Sequence, residues 1–116
     1  MTLLLTGLKR LAVKDKLLLR FNCTFVWPNE PEDLILTIEG CLAGRGEDGL
    51  WVMPPRVQKP GWSWAATKWS TSVSQVLLEH FQTTKDRDLK RAIKDLGSAP
   101  KSALLTQEFK EVRLAL

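Results

Sequence analysis

From Leu17 to Trp27 the chain alternates without a break. Leu17, Leu19, Phe21, Cys23, Phe25 and Trp27 share one parity, while Arg20, Asn22 and Thr24 take the other. A period of two puts the first set on one side of a β-strand and the second on the opposite side. No other stretch shows so clear an alternation. Ahead of it, Leu8 to Val13 is a short apolar-rich run closed by the charged turn Lys14-Asp15-Lys16, so the two runs predict a hairpin. Pro28-Asn29-Glu30-Pro31 ends the long strand, because proline cannot donate to a ladder. Leu34 to Leu42 reads as the next strand, Gly44-Arg45-Gly46-Glu47-Asp48-Gly49 as a turn by composition, and Leu50 to Met53 as a short strand stopped by Pro54-Pro55. Trp62 to Trp69, after the loop Gln58-Lys59-Pro60-Gly61, reads as extended.

Beyond that point the period changes. Val73, Val76, Leu77, His80 and Phe81 fall at i, i+3, i+4, i+7 and i+8, the stripe of a helix, with Ser70, Thr71 and Ser72 offering N-cap oxygens ahead of it. A second helix is predicted over Asp86 to Leu96, with Leu89, Ala92, Ile93 and Leu96 inward and Gly97 as its stop. Lys101 to Leu116 predicts a third on Leu104, Leu105, Phe109 and Val112, although Val112, Leu114 and Leu116 also alternate as a strand end would. Strands first and helices after give an α+β class: a small antiparallel sheet of four to five strands followed by two or three helices packed on one face. The expected organisation is a single domain over residues 1–116, strand-rich over 1–69 and helical over 70–116.

Composition narrows the class. With 116 residues, 44% apolar and 26% charged, the chain matches a globular protein and needs no disulfide framework. No apolar run approaches the ~20 residues of a membrane span. Met1 to Gly7 lacks a charged leader and its apolar stretch is cut by Lys9 and Arg10, so a cytoplasmic location is expected. The net charge of +4 is a modest excess, and its distribution says more. Residues 9 to 20 hold Lys9, Arg10, Lys14, Lys16 and Arg20 against Asp15. Residues 28 to 48 hold six acids (Glu30, Glu32, Asp33, Glu39, Glu47, Asp48) against Arg45. Residues 49 to 69 carry Arg56, Lys59 and Lys68, no acid, and four of the five tryptophans.

Catalytic chemistry finds little support. The one histidine, His80, sits on the helical stripe and reads as structural. Gly44, Gly46 and Gly49 form a loose G-x-G-x-x-G, but Glu47 and Asp48 would repel a phosphate and an extended run follows, so a hairpin turn is the better reading. Cys23 and Cys41, eighteen positions apart, lack a second pair or a histidine at zinc spacing and read as reduced core thiols. No metal, no cofactor and no enzymatic activity are expected. What remains is the Trp-rich stretch. Trp62-Ser63-Trp64 puts two indoles on one side of an extended segment, about 7 Å apart, where successive bases could stack. Arg56, Lys59 and Lys68 interleave with these rings as phosphate contacts would. The same two rings could equally fill a core, and Trp27 and Trp51 are expected there. The basic run over 9 to 20 is either a solvated hairpin or a phosphate-contacting ribbon.

Asp48-Gly49-Leu50-Trp51-Val52-Met53-Pro54-Pro55-Arg56 resembles the N-G-L-F-V-A-M-P-S-K signature of the SpoVG (stage V sporulation protein G, septation) family. Trp64-Ala65-Ala66 takes the place of that family's D-I-A segment, and Ser70-Thr71-Ser72 stands where it has small polar residues before a helix. Val73 to Phe81 is similar to its I-Q-D-A-V-L-N-E-Y helix. The resemblance spans residues 8–82. Pro28 to Pro31 is an insertion, the tryptophans are unusual for the family, and residues 97–116 extend past its core. It implies a small α+β DNA-binding regulator that dimerises through its sheet. It also implies DNA contacts from basic residues in or after the C-terminal helix, where Lys85, Arg87, Lys90 and Arg91 fall here, alternating with Asp86 and Asp88. The expectation is therefore a non-enzymatic, homodimeric, DNA- or RNA-binding regulator using Arg56, Lys59, Trp62, Trp64, Lys68, Lys85, Arg87, Lys90 and Arg91. The alternative is a small protein-interaction module, such as a phage- or plasmid-borne inhibitor or adaptor, with the Trp-rich segment as a hot-spot patch.

Overall fold

The unbroken alternation of residues 17–27 becomes the central strand of a six-stranded antiparallel sheet. A computed structural model describes residues 2–27, 34–55, 72–100 and 107–115. Strands β1 (Thr2–Val13), β2 (Lys16–Trp27), β3 (Leu34–Gly46) and β4 (Gly49–Met53) precede helices α1 (Ser74–Thr83) and α2 (Arg87–Lys94). Two further strands, β5 (Gln107–Glu108) and β6 (Val112–Ala115), close the chain. The sheet order is β4-β3-β2-β1, with β5 and β6 both paired to the outer edge of β1. The class is α+β, as expected, but the sheet is larger than four to five strands.

Along β2 every odd residue from Leu17 to Phe25 is buried. Its neighbours keep no such unbroken parity. On β1, Leu3 and Leu5 are buried and then Leu8; on β3, Ile38 is buried and then Cys41 and Ala43. The register accounts for both slips. Thr6 pairs with Asn22 and Lys9 with Arg20, so Gly7 and Leu8 together oppose Phe21. Phe21 pairs with Cys41 and Cys23 with Ile38, so Glu39 and Gly40 together oppose Asn22. Each is a β-bulge, one extra residue that reverses which side later residues face. Both contain a glycine in the left-handed region, Gly7 at φ 58° and Gly40 at φ 78°, where a Cβ is disfavoured. Asn22 lies between them: its Oδ1 accepts from the Gly40 N–H at 3.2 Å, and its Nδ2 stands 3.1 Å from where a Cβ on Gly7 would sit.

The helices cover one face of this sheet. Val73, Leu77 and Phe81 of the α1 stripe are buried, as are Leu89, Ala92, Ile93 and Leu96 of the α2 segment. All of these but Ala92 join Leu3, Leu5, Leu8, Leu19, Phe21, Cys23, Phe25, Ile38 and Cys41 in one core cluster. Phe81 meets Phe21 edge-on, ring centroids 5.7 Å apart at 70°, a favoured aromatic geometry. Trp27 stacks on Phe25 at 5.7 Å and 17° and packs against the core as expected. Leu50 and Val52 of β4 also pack inward.

Two expectations need correction. The third helix is absent over residues 107–115, which form strands instead. Val112 and Leu114 alternate toward the core while the segment pairs with β1, and the Phe109 N–H donates to the Leu8 carbonyl at 2.8 Å. Without that segment the outer edge of β1 would leave a row of backbone groups unpaired, a demand that outweighs a weak helical spacing. The backbone is already helical at Val73, φ −66° and ψ −44°, and the expected cap hydroxyls of Ser70 and Thr71 lie outside the described residues. Trp51 lies outside the core cluster: Val52 pairs with Ala43 on the buried side, so Trp51, opposite Gly44, takes the other face. There its indole lies against the place a Gly44 side chain would need. The extended reading of Trp62 to Trp69 and the Pro28 to Pro31 turn lie outside the described residues.

Gly40→Ala is expected to lower stability by about 1–2 kcal/mol, and Gly40→Asn by less, because asparagine tolerates the left-handed region better. Urea unfolding of the three proteins checks this order.

Candidate nucleic-acid interface

Helix α2 is short, so its ends decide where it sits. Asp86 caps its start: Oδ1 accepts from the Asp88 N–H at 3.0 Å and the Leu89 N–H at 3.2 Å. Its C-terminal end is fastened to two sheet hairpins. The Arg45 guanidinium, from the end of β3, donates through Nη2 to the Ile93 carbonyl at 3.0 Å, placing a cation where the helix dipole is negative. The Gly97 N–H donates to the Leu17 carbonyl and the Leu17 N–H to the Ser98 carbonyl, each at 3.0 Å. Gly97, at φ 84°, also brings its backbone so close to Arg45 that a Cβ there would stand 2.9 Å from the Arg45 carbonyl oxygen.

With Leu89, Ala92 and Ile93 turned inward, the outward side is set by the helical period. Arg87, Lys90, Arg91 and Lys94 fall at i, i+3, i+4 and i+7, one stripe about 10 Å long, and all four are exposed. Lys85 is exposed just before the helix. The fold thus brings together Lys85, Arg87, Lys90 and Arg91 and adds Lys94, which sequence reasoning passed over. The signal was present, since Lys94 lies seven residues after Arg87. Asp86 is occupied as the cap, and Asp88 is exposed in the first turn, where its charge suits the helix N-terminus.

The remaining candidates, Arg56, Lys59, Trp62, Trp64 and Lys68, lie outside the described residues. The basic run over 9 to 20 is a hairpin, β1–β2, but it is not a free ribbon: β3 flanks one side and β5–β6 the other. Lys9 pairs with Arg20 across it, on the face away from the helices, and Lys14 and Lys16 are exposed at its turn. That open face also carries Glu108 opposite Lys9. It exposes two large apolar side chains, Ile35 (60%) and Val13 (41%).

His80 is half-buried on α1, its ring centroid 5.7 Å from that of Phe81. Its Nε2 is buried without a hydrogen-bond partner among the described residues, and burial holds its pKa below the ordinary histidine value. Among the described residues, no group of three or more His, Cys, Asp and Glu side chains could hold a metal ion. No described helix is long and apolar enough to cross a membrane. No protein-family model, curated protein or solved structure significantly matches the chain.

Two predictions follow from this geometry. Arg45→Ala is expected to cost about 1–3 kcal/mol by urea unfolding, because the Ile93 carbonyl loses its charged donor and keeps the Leu96 N–H at 3.2 Å. Because of burial, His80 binds a proton less readily in the folded chain than in the unfolded chain, where it takes one up at the ordinary value. Its contribution to stability is therefore present at neutral pH and lost as pH falls from about 7 to 5. His80→Gln, which does not titrate, should flatten that part of a melting-temperature profile.

Proposed function

We propose that the chain is a non-enzymatic nucleic-acid-binding protein, a SpoVG-like regulator that acts as a homodimer in the cytoplasm. The observation that carries this reading is the exposed cationic stripe Arg87, Lys90, Arg91 and Lys94, held rigidly by the Asp86 cap and the Arg45 contact. Such a stripe on one helical side suits a row of phosphates, which supply affinity without reading sequence. Lys85 extends it. In this reading Arg56, Lys59 and Lys68 add further phosphate contacts while Trp62 and Trp64 stack on bases. The open sheet face, with Ile35 and Val13 exposed, supports the dimer. That same apolar exposure favours the second reading, a protein-interaction module whose partner docks on the sheet or on the Trp-rich segment.

Titration of a fluorescent oligonucleotide at several salt concentrations, with the mass of free and bound protein taken by sedimentation, separates the two. The expected plot of log affinity against log salt is linear with a slope of roughly −3 to −4 if about four phosphates are neutralised. Lys90→Glu with Arg91→Glu should weaken binding at least about tenfold and flatten the slope by roughly one to two, with the melting temperature unchanged. Absence of binding at low salt would leave the interaction-module reading standing.

A further inference from the structure

The chain has two cysteines, and folding brings them together. Cys23 on β2 and Cys41 on β3 both face the core, both are free, and both have 0% exposure. They are not directly opposed: Cys23 pairs with Ile38 and Cys41 with Phe21. The bulge at Glu39-Gly40 lies between those two pairs. The Cys41 thiol donates to the Ile38 carbonyl at 3.6 Å, and Ile38 is the residue paired with Cys23, so both thiols occupy one patch of the core. Two free thiols buried on the same side of adjacent strands, one bulge apart, need side-chain rotation and a strand adjustment to reach bonding distance, about 2.05 Å.

We propose that Cys23 and Cys41 are a latent disulfide-forming site, closed by a small-molecule disulfide of the glutathione class into a cross-link between β2 and β3. The chemistry is two successive thiol–disulfide exchanges. One cysteine loses its proton and its thiolate attacks a sulfur of the oxidant, forming a mixed disulfide and releasing one thiolate of the oxidant. The second cysteine, deprotonated in turn, attacks the protein sulfur of that mixed disulfide and expels the other half. The two cysteines lose two electrons and two protons, and one oxidant molecule leaves as two thiols.

The pair's position sets the rate and the consequence. Burial, reinforced by the nearby Cys41 thiol, pushes the Cys23 thiol far above its ordinary pKa, so no thiolate is available while the core is shut. The first exchange therefore waits for local opening of the β2–β3 layer. The second is fast, because the neighbouring thiol needs no further encounter. The product links positions on either side of the bulge and pins the register that puts Ile38 and Cys41 on the same buried side. This assignment is independent of the nucleic-acid reading.

The test is incubation of the full chain with oxidised glutathione in native buffer, followed by intact mass, thiol titration and thermal unfolding. Expected are simultaneous loss of both thiols, a mass lower by two hydrogens with no glutathione retained, and a rise in Tm of roughly 10 °C. A thiol reductant should reverse all three. Cys23→Ala and Cys41→Ala, lacking the resolving thiol, should each keep one glutathione. Should either variant not fold, peptide mapping of the oxidised wild-type chain for the Cys23–Cys41 linkage takes its place. A lasting glutathione adduct on the wild type, cross-linked dimers, a lowered Tm, or reaction only after global unfolding would each overturn the proposal.

Discussion

β2 alternates over its whole length, and its inward row Leu19, Phe21, Cys23 and Phe25 is fully buried. A strand of this kind cannot slip by one residue without turning its entire apolar set to solvent. Both neighbours must therefore accommodate β2, and each does so by inserting one extra residue beside the same point. Gly7 supplies the left-handed residue on one side and Gly40 on the other, with Asn22 between them. The two bulges put Leu8 on β1 and Cys41 and Ala43 on β3 under the helices. Half of the buried core residues described on the two flanking strands depend on that pair of local irregularities.

The candidate interface depends on the same frame at one remove. The β2 entry and the β3 exit lie at the same end of the antiparallel sheet, and the C-terminal end of α2 is fastened to both. Leu17 exchanges two backbone hydrogen bonds with Gly97 and Ser98, while Arg45 holds the Ile93 carbonyl. These contacts fix which side of a two-turn helix faces outward. A helix of that length has little stability alone, so the orientation of its cations belongs to the sheet as much as to the helix.

The two faces of the sheet have divided roles. The covered face holds the cysteine pair, and no polar or charged residue is fully buried there among those described. The open face mixes Lys9 and Arg20 with Ile35, Val13 and the Trp51 indole. Such a mixture suits a reversible partner better than a solvent boundary, which would show cleaner alternation of apolar and polar positions. The α2 stripe is, by contrast, almost wholly polar, and the phosphate contact proposed for it would need no apolar component.

Local pattern sufficed for several elements. It determined β2, the β1–β2 hairpin, the α1 stripe and α2 with its Asp86 start and Gly97 stop, because each rests on neighbouring residues with one period. With Leu89, Ala92 and Ile93 inward, that pattern leaves Arg87, Lys90 and Arg91 on the opposite side of the helix. The start of β1 at Thr2, the inward turn of Leu8, the outward turn of Trp51 and the strands at 107–115 were decided only in three dimensions. A bulge breaks the period that pattern reading relies on, although Gly7 and Gly40 inside apolar runs were its visible trace. The C-terminal segment becomes strand because an unpaired edge on β1 needs hydrogen bonds from whatever chain can reach it. That need comes from residues about a hundred positions away, and no local window contains it.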